Sequence, residues 1–109
     1  MQFIIEETKK NQIPLVIDAD GLFIVNEMPA LVQGYSKAIL TPNRVEFGRL
    51  QVKLGSMNDV SQASLEIQVE AVRWAAEKLG CTILRKGKED IISDGKDSEF
   101  FFTSIVSFK

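Results

Sequence analysis

Three short polar clusters in the chain hold side chains able to bind or activate a ligand, and each follows an apolar run. In the first, Asp18 and Asp20 flank Ala19. Carboxylates placed there can bind a metal directly or through water, or hold a ribose hydroxyl, and Asp is equally suited to a plain turn. The second runs Thr41-Pro42-Asn43-Arg44-Val45-Glu46-Phe47-Gly48-Arg49. A helix start offers amide groups and a positive dipole end to an anion, with Asn43, Glu46 and Arg49 at hand for a polar ligand. Asn43 and Glu46 also stand three apart, the spacing of a capping box, which requires no ligand. The third is Lys86-Gly87-Lys88-Glu89-Asp90. Its glycine lets the backbone approach a phosphate and its lysines supply positive charge, while a solvated charged turn is the alternative. It lacks the extended glycine pattern of a Walker loop.

Composition removes several chemistries. The 109 residues contain no histidine, which excludes a Ser-His-Asp arrangement, a Cys-His pair and imidazole zinc sites. Acid-base work would fall to carboxylates, lysine or water. The single cysteine, Cys81, cannot form an internal disulfide, which fits a reducing compartment. Thirteen basic against fifteen acidic residues argue against a broad nucleic-acid footprint. Residues 1–11 lack the long apolar core of a signal peptide, and no stretch is long enough to span a bilayer. The expectation is a cytoplasmic protein, or a mitochondrial one if a longer precursor carries a transit peptide.

Periodicity gives the elements that must position these clusters. Residues 1–12 can form a helix that Pro14 forbids from continuing. Pro14-Leu15-Val16-Ile17 reads as a strand buried on both faces, and Ala38-Ile39-Leu40 as a second buried strand. Between them, Leu22 to Val32 suits a short helix broken around Pro29. Asn43 should cap a helix, and Asp59 with Gln62 repeats the capping signal before a longer one. In that longer helix Leu65, Val69, Val72, Ala76 and Leu79 share a face, and Gly80 ends it. Thr82-Ile83-Leu84 and Ile91-Ile92 read as further strands. Asp94-Gly95 should then turn the chain into Phe100-Phe101-Phe102 and Ile105-Val106 as a terminal hairpin. The outcome is a single α/β domain with a mainly parallel sheet and flanking helices. Its loops Asp18 to Gly21, Thr41 to Glu46 and Arg85 to Asp90 should share one rim.

Taken in order, Pro14 to Leu22, Ile39 to Phe47 and Lys86 to Ser93 resemble the successive blocks of the ATP-dependent NAD(P)H-hydrate dehydratases, joined by Pro29-Ala30-Leu31 and Gly34-Tyr35. The resemblance covers about residues 1–97, leaving a divergent tail at 98–109. It implies a partial ribokinase-like fold. It further implies an enzyme that uses ATP with Mg2+ to return hydrated NADH or NADPH to the normal cofactor, by phosphorylating the ring hydroxyl and eliminating phosphate. In that pattern Asn43, Arg44, Val45, Glu46, Phe47, Gly48 and Arg49 contact the hydrated dinucleotide. Lys86, Gly87, Lys88, Glu89 and Asp90 contact ATP, and Asp18 and Asp20 lie on the site rim.

The same resemblance brings a departure. The family's upstream glycine-rich substrate loop and its Gly-Gly-x-Gly-Asp segment, whose aspartate serves the reacting hydroxyl, have no counterpart in these residues. No catalytic residue is therefore assigned, and the chain is expected to be truncated at both ends and inactive alone. Two alternatives stand beside this one: part of a ribokinase-like small-molecule kinase, or a non-catalytic nucleotide- or partner-binding piece. Unpaired strand edges and the uncharged Phe100 to Phe102 run add an expectation of low solubility without a partner. Oligomeric state is left open by the sequence.

Overall fold

In the computed structural model, which describes residues 2–18, 20–56 and 58–102, the first helix, α1 (Gln2–Lys10), gives way to a turn at Asn11 and Gln12 before Pro14 can act. Gln12 takes a left-handed backbone (φ 58°), and the amides of Asn11, Gln12 and Ile13 fold back onto the last carbonyls of the helix. The chain then enters β1 (Leu15–Ile17) and α2 (Asp20–Glu27). Pro29 breaks α2 as expected, and a 3-10 turn (Pro29–Leu31) follows. After β2 (Ala38–Leu40) come α3 (Arg44–Lys53) and α4 (Leu65–Leu79). Three strands close the described chain: β3 (Thr82–Arg85), β4 (Glu89–Ser93) and β5 (Ser98–Phe102).

The sheet order is β1-β2-β3-β4-β5, parallel across the first two pairings and antiparallel across the last two. The α/β class and the terminal hairpin agree with the sequence reading. Ile105 and Val106 lie outside the described residues. Alternation along the strands separates two faces. Ile17, Ala38, Leu40, Ile83 and Ile91 are buried on one of them and share a core with Val25, Phe47, Leu50 and the Val72, Ala76, Leu79 stripe of α4. Full burial of a side chain such as Leu40 or Ile83 contributes about 1.5–3 kcal/mol.

The opposite face corrects one expectation. Val16 is 67% exposed and Ile39 36%, so β1 and β2 are not buried on both sides among the described residues. The apolar run Leu15-Val16-Ile17 suggested two-sided burial because β-branched residues look alike on either face. Only the described helices decide which face is covered.

A second correction concerns the start of α4. Asp59 does not cap it; its carboxylate accepts from the Ser61 amide at 2.9 Å in a local turn, an interaction that also lowers its pKa. Ser64 is the cap, accepting from the Ile67 amide at 3.4 Å. At the other end Gly80 adopts φ 74°, as the sequence predicts, and its amide bonds Ala76 at 2.8 Å.

Cys81 is buried behind this turn, its thiol donating to the Val32 carbonyl at 3.0 Å. Burial pushes its pKa from an ordinary 9.0 to about 11. The folded state thus holds the proton more tightly than the unfolded chain, so the contribution of this thiol to stability should be fully present below pH 9 and decline as pH rises from 9 towards 11. Through this thiol, unfolding free energies from urea titrations at pH 7 and pH 10.5 should differ by on the order of 2 kcal/mol, and Cys81→Val should remove most of that slope. An unchanged slope in the variant would assign the effect elsewhere.

Candidate functional site

The carboxyl ends of β1, β2 and β3 lie side by side, and the polar clusters that follow them are tied together there. Thr41 bridges the first two: its amide reaches the Ile17 carbonyl at 3.1 Å and its hydroxyl reaches the same oxygen at 3.4 Å. Lys86 joins the third. Its amide donates to Pro42 at 2.8 Å, it forms a parallel bridge with Asn43, and its Nζ stands 3.4 Å from Asp18 Oδ1. The common rim inferred from the sequence is present. Asp20 opens α2 with its backbone, but its side chain lies outside the described residues.

Asn43 and Glu46 form the capping box in full. Asn43 Oδ1 accepts from the Glu46 amide at 2.8 Å, and Glu46 Oε1 accepts from the Asn43 amide at 2.9 Å. Asn43→Ala should cost about 1 kcal/mol in urea unfolding through the lost cap alone. A loss under a few tenths would mean that solvent replaces the cap.

The 43–49 block divides by helical geometry, since successive residues turn by about 100°. Phe47 is buried in the core and Val45 is exposed. Arg44 and Gly48 face β3 and the loop before α4, where Arg44 donates to the Ser61 carbonyl. Glu46 and Arg49 face the other way, into a cleft of about 640 Å3 between α2 and α3 that is also lined by Leu22, Phe23, Asn26 and Pro42. That size suits a small organic ligand. Sequence reasoning missed Phe23 and Asn26, and Phe23 left a usable signal. It is a large apolar residue one step from the buried Leu22, off the face that α2 turns to the core.

The third cluster is also more finely divided than expected. Arg85 belongs to β3, while Glu89 and Asp90 begin β4, so the loop proper is Lys86 to Lys88. Asp90 Oδ1 accepts from the Gly87 amide at 3.0 Å. A Cβ on Gly87 would lie 3.2 Å from the Arg44 stem and 3.4 Å from Arg85 Cζ, so glycine lets the two arginines pack against the loop. Lys86 and Lys88 are exposed. Burial pushes the Arg85 pKa down and nearby Arg44 adds to this, while Glu89 and Asp90 oppose it. The sequence reading placed Arg85 at a loop start and did not single out its side chain.

The cationic side chains of Arg44, Lys86 and Lys88 around a glycine turn can attract and orient phosphate groups. Among the described residues no group of three or more His, Cys, Asp or Glu gathers into a metal cage. On the rim itself the carboxylate of Asp18 is exposed and stands 3.4 Å from Lys86 Nζ.

Comparison with known proteins gives consistent matches. The model of a family described as NAD(P)H-hydrate dehydratase matches residues 1–103. Proteins described as ATP-dependent (S)-NAD(P)H-hydrate dehydratase are similar to this chain in cattle (Bos taurus; 45% identity over 100 residues, 85% of this chain and 27% of the relative). The fission yeast Schizosaccharomyces pombe has one at 45% over 95 residues, covering 87% and 27%. The moss Physcomitrium patens has one at 48% over 101 residues, covering 85% and 29%. The chain therefore spans just over a quarter of the length of these relatives. Among solved structures, a ribokinase-like superfamily protein from Enterococcus faecalis superimposes with a TM-score of 0.65 at 21% identity, covering 91% of this chain and 33% of that one.

Proposed function

The chain belongs to the NAD(P)H-hydrate dehydratase family, and from that premise we propose that it supplies the dinucleotide rim and the ATP loop of an ATP-dependent repair enzyme for hydrated NADH and NADPH. The observation that carries this reading is the junction at Lys86. One residue ties the Lys86–Asp90 loop to Pro42 and Asn43 of the second cluster and to Asp18 of the first. Two ligands bound at these clusters would be neighbours.

In this scheme the γ-phosphoryl group of ATP passes to the hydroxyl of the hydrated nicotinamide ring. Loss of phosphate, with loss of a proton from the adjacent carbon, then restores the ring double bond. Phosphoryl transfer depends mainly on positioning and on charge placed at the phosphates. Lys86 and Lys88 supply that charge, and Asp90 fixes the Gly87 amide between them. Glu46 and Arg49, which line the α2–α3 cleft, and Arg44 on the other side of α3 would contact the dinucleotide. Asp18 would share an Mg2+ ion with the ATP phosphates; the ion would neutralise developing charge. The Gly-Gly-x-Gly-Asp aspartate has no counterpart among these 109 residues, so the contribution proposed is binding and orientation, with no proton transfer assigned.

A chimera tests this directly. Residues 1–97 replace the matching segment of the cattle relative, and hydrated NADPH is supplied with and without ATP. ATP-dependent recovery of NADPH is expected from the chimera and none from the 109-residue chain alone. A folded chimera that phosphorylates small alcohols or vitamins and leaves hydrated NADPH untouched would support a kinase.

A further inference from the structure

Arg85 is 4% exposed, yet among the described residues no carboxylate lies within ion-pair distance of it. A buried guanidinium without a contacting counter-charge is costly, and an aliphatic residue of similar volume would ordinarily pack better at a strand end. Its hydrogen bonds show what the guanidinium does there. Nη1 donates to Gln68 Oε1 on α4 at 2.9 Å, and Nη2 donates to the Glu89 carbonyl at 2.9 Å. Nε has no partner. Gln68 is itself held, its Nε2 donating to the Ala63 carbonyl at 2.8 Å.

The ladder explains why such a brace is useful. Paired residues of β3 and β4 end at Arg85 and Ile91, so the five residues between them are not held by strand pairing across that hairpin. Two contacts close the turn from within, Asp90 to the Gly87 amide and Arg85 to the Glu89 carbonyl, while a Cβ added at Gly87 would come within 3.4 Å of Arg85 Cζ. We propose that Arg85 is a positioning residue for the Lys86–Asp90 loop, oriented by Gln68, so that α4 sets the shape of the ATP-binding turn. The inference rests on the ATP reading given above, and it adds two residues that no polar cluster contained. A planar fork reaching two acceptors is the feature required, which a lysine cannot reproduce.

The test uses the 109-residue chain and three variants. Gln68→Ala removes the orienting acceptor, Arg85→Lys keeps the charge but loses the fork, and Val69→Ala lowers stability from α4 without touching the brace. Amide hydrogen exchange and ATP affinity in the presence of magnesium are measured for each. Gln68→Ala and Arg85→Lys should speed exchange at Gly87 by about tenfold and weaken ATP about three- to tenfold, with Ile83 and Ile91 exchange unchanged. Val69→Ala should lower the melting temperature and leave ATP affinity and Gly87 exchange alone. Wild-type behaviour at Gly87 in both brace variants overturns the proposal, as does a loss of affinity that Val69→Ala reproduces. If the wild-type chain binds no ATP, the functional reading fails separately, and Gly87 exchange alone decides whether Arg85 braces the loop.

Discussion

Replacing Gly80 by alanine is expected to destabilise the chain by about 3 kcal/mol, a large part of the 5–15 kcal/mol typical of a domain. Two costs combine. The residue sits at φ 74°, where a side chain costs about 1–2 kcal/mol. Its Cβ would also lie 2.8 Å from Gly34 Cα and 2.9 Å from Gly34 N, which are backbone atoms held by the bond from the Gly34 amide to the Leu79 carbonyl. Nothing there can rotate away. Gly34→Ala is the matched comparison, because Gly34 has φ 78° but a Cβ on it meets nothing within 4 Å. It should cost only the backbone share, about 1–2 kcal/mol. Equal urea midpoints for the two variants would show that the close approach of the chain at Gly34 and Gly80 carries no weight.

Lys86→Met is expected to separate binding from stability. The backbone of Lys86 would still donate to Pro42 and bridge Asn43, so the rim should remain assembled. What disappears is Nζ and its pairing with Asp18, in which the two side chains are 45% and 55% exposed. Exposed pairs of this kind contribute about 0–1 kcal/mol, so the melting temperature should barely move. A charge-assisted contact to a phosphate is worth more, and ATP affinity should fall about ten- to a hundredfold. Raising ionic strength should weaken the wild type more than the variant, because screening acts on the charge that was removed. Unchanged ATP affinity in Lys86→Met would remove the residue from the binding site.

What the sequence made legible was what local chemistry decides. Asn43 and Glu46 cap each other because they stand three residues apart at a helix start, and Gly80 ends α4 because few other residues accept its backbone. The shared rim followed from strand ends alone. Features set by tertiary contact were harder to read. Asp59 looked like a cap, but its carboxylate was taken by Ser61 first, leaving Ser64 next to the helix. Val16 looked buried because it stands in a continuous apolar run, and its exposure depends on which elements cover the second face of the sheet. Arg85 was read only as the start of a loop; its burial and its bond to Gln68, seventeen residues earlier, are set by tertiary contact. Phe23 and Asn26 entered the candidate site only once α2 and α3 were seen to enclose a cleft.

Whether this chain brings an ATP loop and a dinucleotide rim together is tested most directly by a residue-resolved titration. The isotopically labelled chain is titrated first with ATP and magnesium, then with hydrated NADPH, while every assigned backbone amide is followed by NMR. The amides of Lys86, Gly87 and Lys88 should shift with ATP. Those of Asn43 to Arg49, together with Phe23 and Asn26 in the cleft, should shift with the hydrated dinucleotide. Saturable shifts confined to other parts of the chain, or none with either ligand from a chain shown to be folded, would contradict the account.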